Sequence, residues 1–135
     1  MSKNLSHHDW VVQQFDKYLR KQYRDVFIHS SIIEGVLVNE SKERSFDLAN
    51  KRLLCSKKIY SSEFCVFNEI RDIRNKLAHD IFKKDGLTQK DIDKLRDDLM
   101  EKIHKAYKIS SFLEDKLFKK YKINRSSIIT FNPTN

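Results

Sequence analysis

Arg71, Arg74, Asn75, Lys76 and His79 lie in one short stretch, Ile70-Arg71-Asp72-Ile73-Arg74-Asn75-Lys76-Leu77-Ala78-His79. Guanidinium forks match phosphate oxygens and stay ionised, an amide can orient a neighbour, and an imidazole gains and loses its proton near neutral pH. On a helix wheel at about 100° per residue, Val66, Ile70, Ile73 and Leu77 form one narrow apolar stripe. With that stripe turned to the core, Arg71, Arg74, Asn75 and His79 share a sector outside it. Asn75 and His79 stand one turn apart, and Ala78 between them is small enough to let another surface approach. Such a face is suited to gripping a phosphodiester or a partner copy, and equally to solvent.

The elements that must position this face read as helices. A first helix is expected from Ser6 to Gln22, carried by Trp10, Val11, Phe15, Tyr18 and Leu19 at three- and four-residue steps. A second, from Asp25 to Asn39, bears Phe27, Ile28, Ile32, Ile33, Val36 and Leu37, with Gly35 expected to permit a close helix crossing. After a polar loop from Glu40 to Arg44, Ser45-Phe46-Asp47-Leu48 opens a shorter helix that includes Leu53 and Leu54. The motif helix follows a break near Tyr60, with Ser61 or Ser62 as its cap and Glu63 in its first turn. Lys83-Lys84-Asp85-Gly86 reads as a turn in which Gly86 takes a left-handed position. Thr88 with Asp91 starts another helix through Ile92, Leu95, Leu99, Ile103 and Ala106. Ser111 with Glu114 repeats that capping pattern ahead of a last helix to about Tyr121, either continuous with its predecessor or bent near Ser110. Tyr107, Phe112, Phe118 and Tyr121 are expected in the core.

Composition agrees with this reading. The chain has 135 residues with only two glycines and one proline, too little punctuation for the many turns of a sandwich, barrel or βαβ fold. Charged residues make up 34% and hydrophobic residues 39%, a balance suited to helices with one apolar stripe each. The fold expected is all-α, an up-and-down bundle of about five to six helices, with residues 1–122 as a single domain and 123–135 as a flexible tail. No apolar run approaches membrane-spanning length, and the segment MSKNLSHHDW has no secretory core, so a cytoplasmic address with no membrane partner is expected. Cys55 and Cys65, on different helices and without companions at ligand spacing, read as reduced packing residues, and no metal or cofactor is expected. The formal charge of +8 favours anionic partners. The surplus is strong from Glu101 to Arg125, where Lys102, Lys105, Lys108, Lys116, Lys119, Lys120 and Lys122 form a phosphate-holding patch or a solvated surface. No aromatic residues interleave with those lysines in the manner of a single-strand binder.

The Arg74-Asn75-x-x-x-His79 stretch resembles the signature of the HEPN superfamily, and the order of helices around it is most similar to the mannitol-repressor-like branch. The likeness spans residues 10 to 121, with its specificity concentrated in the motif. It implies a bundle that forms a homodimer with two motifs facing across a cleft, and a metal-independent endoribonuclease acting as a toxin or defence effector. Carried onto this chain, His79 is general base or acid toward the ribose 2′-hydroxyl or the leaving 5′-oxygen. Arg74 stabilises the phosphorane-like transition state, Asn75 orients the imidazole or the phosphate, and Arg71 and Lys76 are outlying RNA-phosphate contacts. An antitoxin or regulatory protein is an expected partner. Family toxins often carry a tyrosine, modified by their antitoxin, two residues beyond the histidine, where this chain has Ile81. The mannitol-repressor-like branch implies a second reading, a non-catalytic regulator or adaptor that uses the same face for a protein partner.

Overall fold

The computed structural model describes residue 6 and residues 8–9, 12–13, 21–81 and 88–124, the side chains of 21 and 22 excepted. Its elements are α1 (Lys21–Ser41), α2 (Phe46–Cys55), α3 (Ser61–Ile81), α4 (Gln89–Ile109) and the short α5 (Ser111–Leu113), which runs into a π-helical stretch, Glu114–Lys119. It is an all-α bundle of about five helices, with no strand among the described residues. α3 packs along α4, α1 lies against α2 and α4, and α2 bridges α1 and α3. No helix among the described residues is long and apolar enough to cross a membrane. Most of the expected first helix, including Trp10, Phe15 and Leu19, lies outside the described residues, as do the Gly86 turn and the tail beyond Asn124. Within that stretch Val12 is exposed and Asp9 N–H donates to Ser6 Oγ at 3.1 Å.

The apolar stripes meet at one core. Val66, Ile70 and Leu77 of α3 are buried as their spacing requires, while Ile73 at the stripe's edge is half-buried. Phe67 joins them, and Leu99, Met100, Ile103 and Tyr107 of α4 close the core from the other side. α1 begins earlier than its sequence suggests, and its buried residues are Tyr23, Val26, Phe27, Ile33 and Leu37. Ile28 and Ile32, expected inside, are 47% and 37% exposed because they fall on the outer side of the helix. Gly35 is on that side too. A Cβ added to it would meet nothing within 4 Å among the described residues, so none of the described helices crosses closely there. Cys55 and Cys65 are both exposed free thiols on different helices, which corrects their reading as packing residues. Tyr121 is 60% exposed rather than buried, since the chain turns outward after the π-helical stretch.

Starts and stops of the helices have local causes. Ser45 caps α2 by accepting from Leu48 N–H at 3.2 Å. Thr88 and Asp91 form the reciprocal capping box on α4. α3 starts differently from its sequence reading: Ser61 is already helical, and Glu63 reaches back to accept from Tyr60 N–H at 3.0 Å. The next corner is capped by Ser110, not Ser111. Ser110 leaves the helical region at ψ 110° and accepts from Leu113 N–H at 3.0 Å, so α4 ends there and α5 begins. Three stops use lysine in the left-handed region: Lys42 (φ 63°), Lys57 (φ 62°) and Lys122 (φ 54°). At Lys57 the N–H groups of Lys57 and Lys58 bond back to Leu54 and Leu53 carbonyls at 3.0 and 2.9 Å, the paired pattern of a Schellman stop. Lys122 and Ile123 repeat it on Lys119 and Phe118.

Candidate active site

Arg74, Asn75 and His79 emerge from the last two turns of α3. Arg74 is held between two other helices. Its Nη1 donates to Glu34 Oε1 on α1, and its guanidinium carbon lies 5.4 Å from the ring centroid of Phe46, the first residue of α2. Nη2 of the same guanidinium donates to Asn75 Oδ1 at 3.2 Å. Two contacts from outside α3 therefore fix the fork and leave it 18% exposed along the side chain. An arginine held this way presents its remaining N–H groups without first losing side-chain freedom.

His79 is the open end of the strip, 71% exposed along its side chain. Its Nδ1 stands 3.2 Å from Oδ1 of Asp80, which is itself nearly buried. A carboxylate at Nδ1 favours the tautomer with the proton on that nitrogen and leaves Nε2 to accept one. Burial pushes the Asp80 carboxyl up, but the hydrogen bond from His79 and the charge of Lys76 outweigh it, so its pKa lies below the usual aspartate value.

The outlying cations are engaged by carboxylates. Arg71 donates to Asp72 at 2.8 Å and lies 4.0 Å from Asp47 of α2. Lys76 lies 3.4 Å from Asp80, one turn along. Arg74 and Asn75 are thus brought together, His79 is one turn beyond, and Arg71 is turned toward the α2 side. In the lysine-rich region Lys102 bonds Glu69 at 2.9 Å, which raises its pKa, and Lys116 and Lys119 pair with Glu40 and Asp115, each at 3.4 Å. Lys105, Lys108, Lys120 and Lys122 are exposed, and Arg125 lies outside the described residues. Ile81, at the place of the modified tyrosine of family toxins, is 1% exposed and part of the core.

Sequence reasoning missed Glu34, Phe46 and Asp80 as members of the site. Asp80 could have been found, because it adjoins His79. Nothing in the spacing ties Glu34 or Phe46 to Arg74, since the chain brings them together only by folding. Among the described residues no group of His, Cys, Asp and Glu is arranged to hold a metal ion. No protein-family model matches the chain, and no curated protein or solved structure matches it either.

Proposed function

We propose that the chain is a HEPN-type, metal-independent endoribonuclease, a toxin or defence effector that works as a homodimer with Arg74, Asn75 and His79 of both copies in one composite site. The observation that supports this reading best is the pairing of a positioned cation with an oriented, accessible imidazole on one helix face. Nε2 of one His79 takes the proton of the ribose 2′-hydroxyl as its oxygen attacks phosphorus. The O2′–P bond forms and the P–O5′ bond breaks, with the second copy's imidazolium giving its proton to the leaving 5′-oxygen. The products are a 2′,3′-cyclic phosphate and a 5′-hydroxyl. Arg74 neutralises charge gathering on the non-bridging oxygens. An imidazole can both take up and give up a proton, so the two copies divide the parts between them. DNA lacks the attacking hydroxyl and is not a substrate.

A second reading, a non-catalytic regulator of mannitol-repressor type, draws on the Glu34 carboxylate, which already neutralises Arg74 within the chain. One experiment separates the two. Purified wild type and His79→Ala are incubated with a mixed RNA pool in EDTA, and fragment ends are analysed. Cyclic-phosphate ends made by the wild type and lost in His79→Ala are expected. Intact RNA from a folded dimer moves the assignment to the regulator, which keeps partner binding after His79→Ala.

A further inference from the structure

Between α1 and the π-helical stretch lies a groove of about 350 Å³, inside the range of small-molecule sites, roughly 300–1,000 Å³. One wall is a single face of α1, on which Ile32, Gly35, Val36 and Asn39 follow at i, i+3, i+4 and i+7. The other wall is made by Lys116, Leu117, Lys120 and Tyr121. Both walls depart from what helix formation favours. The second widens to the π form over Glu114–Lys119 before Tyr121 N–H closes back to the Leu117 carbonyl at 3.1 Å. Such winding is rare and is frequent at functional sites. In the first, Gly35 stands inside a helix, where glycine is a poorer former than alanine. A Cβ there would touch no described residue, so packing among them gives no reason for it. A side chain at that position would stand in the groove instead.

The charges on the rim differ in how they are held. Lys116 is paired with Glu40 at 3.4 Å, and those two cancel. Lys120 has no carboxylate partner among the described residues. Its Nζ lies 5.5 Å from the ring centroid of Tyr121, a neutral holder that leaves the ammonium its full charge. Asn39 is exposed, and its side-chain amide bonds to no described residue. The groove thus has apolar walls, one uncompensated cation and one unused amide.

We infer that this groove binds a small amphipathic monoanion, an aromatic carboxylate. Its apolar body lies against Ile32, Val36 and Leu117 in the hollow at Gly35, and its head takes Lys120 Nζ and the Asn39 amide as donors. One net positive charge on the rim fits one negative charge on the ligand. A second negative charge, as on a phosphate monoester, would face the Glu40 carboxylate with no cation left to balance it. A ligand cation would meet Lys120 while Glu40 is already satisfied by Lys116. None of the groove's residues belongs to the Arg74–His79 strip, so the site stands apart from the ribonuclease reading.

The test uses the full chain, isotope-labelled, and three probes built on one ring system: 1-naphthoate, 1-naphthyl phosphate and 1-naphthylmethylammonium. Amide spectra are recorded at about pH 8, where the phosphate carries close to two charges. Naphthoate is expected to shift the Gly35, Asn39 and Tyr121 amides saturably, and to bind about tenfold or more tighter than either comparison probe. Gly35→Leu is expected to abolish that binding by filling the hollow. Its melting temperature is expected not to fall, because the new side chain enters open space. Lys120→Met keeps an apolar stem and loses the charge, and is expected to weaken naphthoate about tenfold without weakening the ammonium probe. Lys122→Met, outside the groove, is expected to change neither. No saturable shift in millimolar naphthoate overturns the site. Equal binding of the three probes overturns the anion assignment and leaves only an apolar surface. Binding that survives Gly35→Leu overturns the placement. Each of these outcomes leaves RNA cleavage to be decided by its own experiment, and intact RNA leaves the groove unaffected.

Discussion

Asp80 governs which nitrogen of His79 carries a proton, and on the ribonuclease reading that choice separates a base from a bystander. Its carboxylate accepts from Nδ1–H, whereas an asparagine at the same place can donate to Nδ1 and stabilise the other tautomer. Asp80→Asn is expected to lower RNA cleavage at neutral pH about tenfold, with the fold retained. Nitrogen chemical shifts of the His79 ring are expected to report the proton moving from Nδ1 to Nε2. An unchanged tautomer with unchanged cleavage would remove Asp80 from the site. At this scale the sequence was informative where partners are neighbours: the grouping of Arg74, Asn75 and His79 on one face follows from helical spacing alone. It was silent on Glu34 and Phe46, which come to Arg74 from other helices. It also could not show that Arg71 turns to Asp47 and Asp72.

Helix boundaries show what local chemistry can and cannot announce. The Ser45 and Thr88 caps were readable because a side-chain acceptor ahead of an apolar period has one obvious use. The Ser110 break was readable only as an alternative, since two adjacent serines compete and the buried partner of Ser110 Oγ, Glu63, is far away in sequence. The places of the stops were legible from the polar breaks, but their left-handed geometry was not, because lysine occupies the position where glycine is the usual signal. A side chain in the left-handed region costs about 1–2 kcal/mol relative to its ordinary conformations, a cost glycine avoids. Lys57→Gly is therefore expected to stabilise the protein, by about 0.5–1 kcal/mol once the greater freedom of glycine in the unfolded chain is deducted. A raised midpoint of urea unfolding at unchanged slope checks it. A lowered midpoint means the Lys57 side chain contributes more than its backbone costs.

Across the described residues His29, His104, Asp80, Tyr23 and Tyr107 are shifted in the sense that favours a neutral-pH plateau. His29, whose Nδ1 lies 2.9 Å from Tyr107 Oη, has its pKa lowered by burial; Asp25 raises it and His104 lowers it further. Burial lowers His104 as well. The unfolded chain then binds protons that the fold does not, so their contribution is complete above the ordinary value of 6.5 and is lost as pH falls below it. Asp80 adds a further loss below its ordinary value of 3.8. On the alkaline side, burial and the hydrogen bond to Asp93 push Tyr23 up to about 12, and burial raises Tyr107 too. The unfolded chain releases those protons first, and stability falls as pH rises past 10. The urea midpoint is expected to be lower at about pH 5 and about pH 11 than at about pH 8, with the acid loss reduced in His29→Gln. Equal midpoints would exclude the buried-neutral account.

Glu63 adds a constraint in time. It is 1% exposed, and its second oxygen accepts from Ser110 Oγ at 2.5 Å and from Phe112 N–H at 3.2 Å. A carboxylate without such donors stays in water. While the chain is being made, the start of α3 therefore lacks its permanent neighbours until Phe112 has left the ribosome. The helix carrying Arg74 and His79 is complete in sequence well before that, yet its anchored end is settled only by some of the last residues of the bundle to be synthesised.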